Sequence, residues 1–163
     1  PIRNEIFNLK YIKYNDYKLL EKEYKINYNW ITDKSNKLTL IRNIYKTSDI
    51  YGIIRSDIFD PVLKKIIKKY ITDFDVNSGD SLFNFKPNTL QLKIGDITET
   101  ITGIRLGSSA IFKIVCCDVV HRFKDDLNRI AMLKYYSSLR GTSLKILIDY
   151  YIYGNVNDIP NDD

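Results

Sequence analysis

A chain of 163 residues, 44% hydrophobic and 28% charged, has the length and composition of one globular domain with a real core. No apolar run approaches the roughly 20 residues that span a bilayer, and the chain does not open with a signal-peptide pattern. These totals indicate a protein that is neither disordered nor fibrous and has no membrane partner. The net charge of +5 suits a polyanionic partner without identifying one.

The cysteine and histidine content predicts no metal and no other cofactor. Cys116 and Cys117 are adjacent in an apolar stretch, and His121 is the single histidine. Adjacent cysteines rarely bridge each other, and one histidine leaves no zinc-ligand set. We therefore expect buried, reduced thiols in an intracellular protein, and a structural or surface role for His121. The abundance of Asn, Ile, Lys and Tyr is typical of AT-rich genomes, so a viral origin is one expectation.

The first part of the chain is predicted to form a helix followed by a small antiparallel meander. Apolar residues spaced by three and four predict a helix over residues 1–20, with a break at Asn15–Asp16. The side-chain period then changes to two, which is typical of strands. The three predicted strands occupy residues 24–30, 38–45 and 50–54, joined by polar turns at 32–37 and 46–49.

The remainder of the chain is predicted to be helical. Asp60 and Pro61 are typical of a helix start, and the apolar and lysine residues after them fall on opposite faces. Gly107–Ser109 and Ser143 are predicted to cap two later helices. Further helices are predicted at 91–103, 110–123, 125–138 and 144–151. The sequence thus predicts a mainly α chain with a three-stranded antiparallel sheet (α+β), as one domain over 1–153 with a polar tail at 154–163.

Three separated residues could carry chemistry on a phosphodiester. Arg3 is by default a solvated side chain near a helix start, but its guanidinium fork suits a phosphate clamp. Lys46 is expected at a hairpin tip, where a lysine is usually solvated, yet it could protonate a leaving 5′-hydroxyl. Tyr151 ends the last predicted helix and is ordinarily an aromatic packing residue. Beside an arginine and a lysine it could instead be a nucleophile that forms a 3′-phosphotyrosine.

The order of these motifs resembles the catalytic domain of tyrosine recombinases and integrases, in particular those of viruses and mobile elements. Arg3-Asn-Glu-Ile is similar to the first-arginine motif, and Tyr45-Lys46-Thr47 to the hairpin-lysine motif. Leu139-Arg-Gly-Thr-Ser143 is similar to the Gly-His-Ser turn, with Tyr151 nine residues after Thr142. The resemblance covers nearly the whole chain. It implies a recombinase-like fold, double-stranded or branched DNA as partner, and a homo-oligomer on DNA. The arginine-bearing motif directly after Pro1 favours a fragment of a longer protein with a further amino-terminal domain.

Two positions depart from the family pattern. Phe112 stands where the second arginine is expected, with Lys113 one residue further on, and Thr142 replaces the turn histidine. Losing a phosphate-binding arginine should weaken transition-state stabilisation by several kcal/mol. Arg105 could compensate, as could Lys113. The departures predict a domain whose chemistry is impaired.

Three hypotheses follow. The first is a catalytically impaired, DNA-binding relative of the tyrosine recombinases that contacts phosphates. The second is an active site-specific recombinase or integrase. The third is a viral structural or protein-interaction module that keeps the fold without binding DNA. The residues expected to contact DNA are Lys46, Lys64, Lys68, Arg105 and Arg140.

Overall fold

The structure, a computed structural model, describes residues 8–84 and 86–152, without the side chains of residues 87, 88, 150 and 151. The chain divides into two compact units. The sheet unit comprises the described residues up to Lys86, and the helical unit comprises those from Pro87 onward. The single domain over 1–153 stays a prediction, and the tail at 154–163 lies outside the described residues.

The described part of the sheet unit contains a four-stranded mixed sheet. Its strands, in spatial order, are β1 (Leu9–Lys13), β2 (Asn29–Lys34), β3 (Lys37–Arg42) and β4 (Ile54–Asp57). β1 runs parallel to β2, whereas the other two neighbouring pairs are antiparallel. Its helices are α1 (Tyr14–Leu19), α2 (Lys22–Ile26), α3 (Ser48–Tyr51) and α4 (Pro61–Asp73). The α+β class is confirmed, but the sheet has four strands instead of the expected antiparallel three.

β1 replaces the described part of the helix predicted over residues 1–20, and α1 runs through the predicted break at Asn15–Asp16. On one side β1 pairs with β2, in the register Leu9 to Asn29 and Lys13 to Asp33. On its other side the Tyr11 N–H donates to the Asp80 carbonyl at 3.0 Å. Because both flanks supply backbone partners from distant sequence, the extended form is favoured over the local helical spacing.

The strand predicted over residues 24–30 is displaced towards the carboxyl end. Residues 22–26 form α2, and β2 begins at Asn29. The rings of Tyr17, Tyr24 and Tyr28 pack around the indole of Trp30, with centroid separations of 5.9, 5.9 and 5.8 Å. The Trp30 indole N–H donates to the Lys25 carbonyl at 2.8 Å. The alternating aromatics therefore reflect packing around one buried tryptophan and not a strand pleat.

The hairpin tip lies at Ser35–Asn36, within the polar run predicted to be a turn. These two residues have φ of 45° and 75°, as a two-residue type I′ hairpin requires. Lys34 and Lys37 face each other across the turn.

The prediction of a second hairpin tip, at residues 46–49, is wrong. β3 ends at Arg42, and α3 lies between it and β4, which occupies residues 54–57 and not 50–54. Tyr45 is buried, and its hydroxyl donates to the Gly52 carbonyl at 2.5 Å. This contact fixes a compact loop where a tight turn was expected.

The start of α4 is as predicted. The Asp60 carboxylate accepts hydrogen bonds from the backbone N–H groups of Val62 at 2.8 Å and Leu63 at 3.0 Å. Pro61 is the first helical residue, where its missing N–H costs nothing. No residue of α4 is buried, so this cap is a main local determinant of where the helix begins.

The helical unit contains the helices predicted after residue 90, with shifted ends. They are α5 (Pro87–Thr102), α6 (Ser108–Arg122), α7 (Asp126–Arg140), α8 (Leu144–Ile146) and a π-helix, Leu147–Ile152. Its core is formed by Phe112, Cys116 and Val119 of α6 together with Leu133 and Leu147. Among the described residues, no helix combines the length and apolarity needed to cross a bilayer.

Asp60→Ala should lower the free energy of unfolding by about 1 kcal/mol, because two N–H groups at the start of α4 lose their acceptor. Asp60→Ser, which keeps a capping oxygen, should lose much less. Urea unfolding followed by circular dichroism measures both variants. Equal stability of the two variants would contradict the capping role.

Candidate functional site

The three residues proposed for chemistry are only partly described. Arg3 lies outside the described residues. Lys46 is exposed in the sheet unit, in the loop before α3 and not at a hairpin tip. Tyr151 lies in the helical unit, where its backbone belongs to the π-helix. The convergence of these three residues on one site stays a prediction. The chemical roles of Arg3, Lys46 and Tyr151 stay predictions too.

Phe112, at the position expected for a second arginine, is a core residue of the helical unit. Its side chain is 1% exposed and packs in one cluster with Cys116, Val119, Leu133 and Leu147. Since α6 presents this position to the core, it belongs to the packing of the unit and not to a solvated cleft. Lys113, the next residue, is partly buried.

Arg140 places a guanidinium against this core. Its side chain is 3% exposed, Nη2 donates to the Ser109 hydroxyl oxygen at 3.1 Å, and Cζ lies 4.6 Å from the centroid of the Phe112 ring. The position at the end of α7 also suits a cation, because the last carbonyls carry partial negative charge. Arg140 thus links α7 to α6, and a role on an exposed DNA-contacting surface does not fit its burial.

The segment after Arg140 has local structural roles that account for its residue types. Gly141 has φ of 67°, a left-handed conformation that suits glycine. Its N–H donates to Ser138, and the Thr142 N–H donates to the Ser137 carbonyl at 3.0 Å, which together form a Schellman helix end. Ser143 then caps α8 through a bond from the Ile146 N–H at 3.2 Å. Thr142, in place of the expected histidine, is buried.

The thiols and the histidine of α6 differ in burial. Burial, reinforced by the neighbouring Cys117, raises the pKa of the Cys116 thiol to about 11, although Arg140 opposes the shift. Cys116 therefore stays neutral at physiological pH and acts as a small core residue. Cys117 is exposed, contrary to the expectation that both are buried. His121 lies exposed in the last turn of α6, which fits the surface alternative of the structural or surface role expected for it.

Arg105 is engaged by carboxylates of α5. Its Nη1 lies 2.7 Å from Asp96 Oδ1 and 3.1 Å from Glu99 Oε2. The hydrogen bonds that this guanidinium donates to Asp96 and Glu99 raise its pKa further above the usual range. A phosphate would have to compete with both carboxylates, so this arrangement does not favour Arg105 as a substitute for the second arginine.

Several positively charged side chains line a cavity of about 450 Å³ in the sheet unit. We call it the basic cavity. Three lysines from separate elements line it: Lys13 at the end of β1, Lys34 beside the hairpin turn and Lys68 on α4. Asp33 and Tyr14 also contribute to its wall. Three lysines and one aspartate thus line this cavity.

Two of these lysines are held by specific contacts. Lys68 Nζ donates to Asn36 Oδ1 at 2.9 Å and lies 3.8 Å from Asp33 Oδ2. Lys34 Nζ lies 4.9 Å from the centroid of the Tyr14 ring, within cation–π range. Burial, and secondarily the charges of Asp33 and Asp16, raise the pKa of the Tyr11 phenol. Tyr11, which also lines the cavity, is thus neutral at physiological pH.

Sequence reasoning selected Lys68 but missed Lys13 and Lys34. Lys34 stood inside the polar run interpreted as a turn, and two lysines flanking a hairpin tip were the available signal. Lys13 carried no such signal, because residues 9–13 were interpreted as helix. Lys64, on the same helix as Lys68, is partly buried and does not line the cavity.

Phe112→Arg, which restores the residue type expected from the family resemblance, should destabilise the protein by about 4 kcal/mol or more. The reason is that it removes a buried ring and brings a second guanidinium beside Arg140 in the core. Ile114→Arg is the matched control, because Ile114 is 54% exposed on the same helix. It should change stability by about 0.5 kcal/mol at most. Urea unfolding of both variants measures the difference, and equal losses would place Phe112 outside the core.

Comparisons with known proteins identify no relative. No protein-family model, no curated protein and no solved structure matches the chain. Among the described residues, no group of three histidine, cysteine or acidic side chains could hold a metal ion. The functional assignment therefore depends on the residues and the geometry described above.

Proposed function

We propose that this chain is a DNA-binding domain of tyrosine-recombinase ancestry whose strand-cleavage chemistry is impaired. The proposal combines the motif order Arg3, Lys46, Tyr151 with the distribution of lysines in the sheet unit. It assigns the domain to duplex or branched DNA, held mainly through backbone phosphates. No cofactor enters the proposal, since phosphate contacts need only donors and positive charge.

The observation that carries DNA binding is the basic cavity together with the lysines of α4. Lys64 and Lys68 are four residues apart, as are Lys65 and Lys69, so the four lysines occupy one side of the helix. Among the described residues, the only ion pairs on this face join Lys68 to Asp33 and Lys69 to Asp73. That leaves Lys64 and Lys65 outside the described ion pairs, and lysines without a carboxylate partner on a helix beside a basic cavity suit a polyphosphate backbone.

The support for impaired chemistry comes from Phe112 and Thr142. Both are buried, and Phe112 lies in the core of the helical unit. Neither side chain can donate the two charge-assisted hydrogen bonds with which an arginine grips a phosphate. Arg140 and Arg105, the nearest arginines in sequence, are engaged by Ser109 and by the carboxylates of α5 respectively.

Exposed apolar side chains favour one alternative, a protein-interaction module. On α5 and just after it, Leu92, Ile97, Ile101 and Ile104 are each more than half exposed. Apolar side chains gathered on one element are typical of interaction surfaces. Under this alternative the lysines of α4 are an ordinary solvated helix face.

Binding to duplex DNA should weaken steeply with salt, because each contacted phosphate releases counterions. The expected slope of log Kd against log salt is about 0.9 for each contact. Fluorescence anisotropy with a labelled duplex and with a four-way junction measures it. Absence of binding to both probes at low salt would contradict DNA binding and favour the interaction module.

Covalent trapping tests the state of the chemistry. A pool of nicked suicide duplexes with randomised sequence should yield no covalent protein–DNA adduct on a denaturing gel, because the second arginine is missing. Tyr151→Phe and Tyr150→Phe serve as a matched pair. An adduct that disappears only in Tyr151→Phe would show an active recombinase and contradict impairment.

A further inference from the structure

We propose that the basic cavity is a phosphate-binding site that takes the phosphate of a phosphodiester or another organic phosphate. The inference rests on the proposed function only in one respect, which is that DNA is the molecule whose phosphate binds. The site itself is inferred from its geometry. Lys46, the described lysine of the motif set in the same unit, does not line the cavity.

The charge of the cavity selects an anion. Among the described residues, neither Lys13 nor Lys34 takes part in an ion pair, and both are exposed. Lys68 has one carboxylate, Asp33, at 3.8 Å. An incoming phosphate would therefore meet three lysines that line the cavity, against the carboxylate of Asp33 in its wall and that of Asp16, which also acts on Tyr11. A cationic ligand would meet net repulsion.

Backbone geometry brings these lysines together before any ligand binds. β1 and β2 are parallel and pair Lys13 with Asp33, so their carboxyl ends reach the same edge of the sheet. β2 ends at Lys34, and Asn36 follows in the hairpin turn. Asn36 Oδ1 accepts a hydrogen bond from Lys68 Nζ of α4 at 2.9 Å. Part of the ordering cost of binding is thus already met by the fold.

The size of the cavity and its aromatic wall indicate more than an inorganic ion. A volume of about 450 Å³ lies in the range of sites for small organic ligands, which is roughly 300–1,000 Å³. The ammonium groups of Lys18 and Lys34 each lie 4.9 Å from the centroid of the Tyr14 ring. The ring adds apolar contact surface to the wall, which a sugar or base attached to the phosphate can use.

The test compares two lysine pairs on two probes. The Lys13→Ala/Lys34→Ala variant should bind a fluorescein-labelled duplex more than about tenfold more weakly than the unmodified chain. Its salt slope should fall by about one for each lysine removed. Lys22→Ala/Lys93→Ala removes the same charge from exposed positions outside the cavity. This control should lose less than about threefold. Inorganic pyrophosphate, titrated by calorimetry, is the second probe.

Asp33→Asn should strengthen binding, whereas the lysine substitutions in the cavity weaken it. This substitution removes a competing carboxylate and frees Lys68, so binding of both probes should become about twofold to fivefold tighter. A variant that merely damages the fold does not gain affinity. Circular dichroism and urea unfolding establish that each variant is folded.

The outcomes separate this site from the proposed function. Loss of duplex binding in the cavity pair but not in the control pair supports both. Cavity-dependent binding of pyrophosphate without any duplex binding supports the site and removes DNA as its ligand. Equal affinities of the cavity pair and the control pair on the duplex, with no cavity-dependent binding of pyrophosphate, would overturn the site while leaving DNA binding elsewhere intact.

Discussion

The parallel pairing of β1 with β2 is the constraint on which the organisation of the sheet unit depends. It converts a segment with helical spacing into a strand, and its register sets Lys13 beside Asp33. The chain must leave both strands at the same sheet edge, where α1 and the hairpin turn begin. Ile12 and Trp30 from these two strands pack with Tyr17 and Ile41 in the core below. One pairing thus fixes both the core and the wall of the basic cavity.

The helical unit is organised by a different contact, the buried guanidinium of Arg140. Burying a charge is costly, and contacts to its donors and its face reduce that cost. Ser109 accepts one of its hydrogen bonds, and the Phe112 ring covers the group at 4.6 Å. Phe112, which stands where the family pattern has an arginine, is therefore also the residue whose ring covers the guanidinium of Arg140. Phe112 and Arg140 form one packing arrangement, which explains why an arginine at position 112 would be incompatible with it.

Local signals in the sequence predicted the elements that depend on local physics. Asp60 with Pro61, Asp125 and Ser143 predicted helix starts, because each caps through its own side chain. The turn in the run 32–37 was also predictable from its polar residues. β1 was not, since its hydrogen-bond partners come from β2 and from the segment around Asp80. Lys46 was expected at a hairpin tip but lies in a loop that is shaped by the buried Tyr45. Lys13 was not selected because its strand, β1, was interpreted as helix.

The central claim is that nucleic-acid phosphates bind the sheet unit at the basic cavity. Titration of the isotope-labelled chain with a short DNA duplex, followed by two-dimensional ¹H–¹⁵N spectra, tests it most directly. The account predicts that the amide signals that shift most belong to Lys13 and Tyr14, to Lys34–Asn36 and to Lys68. Shifts confined to α5, α6 and α7, with these signals unmoved, would contradict it.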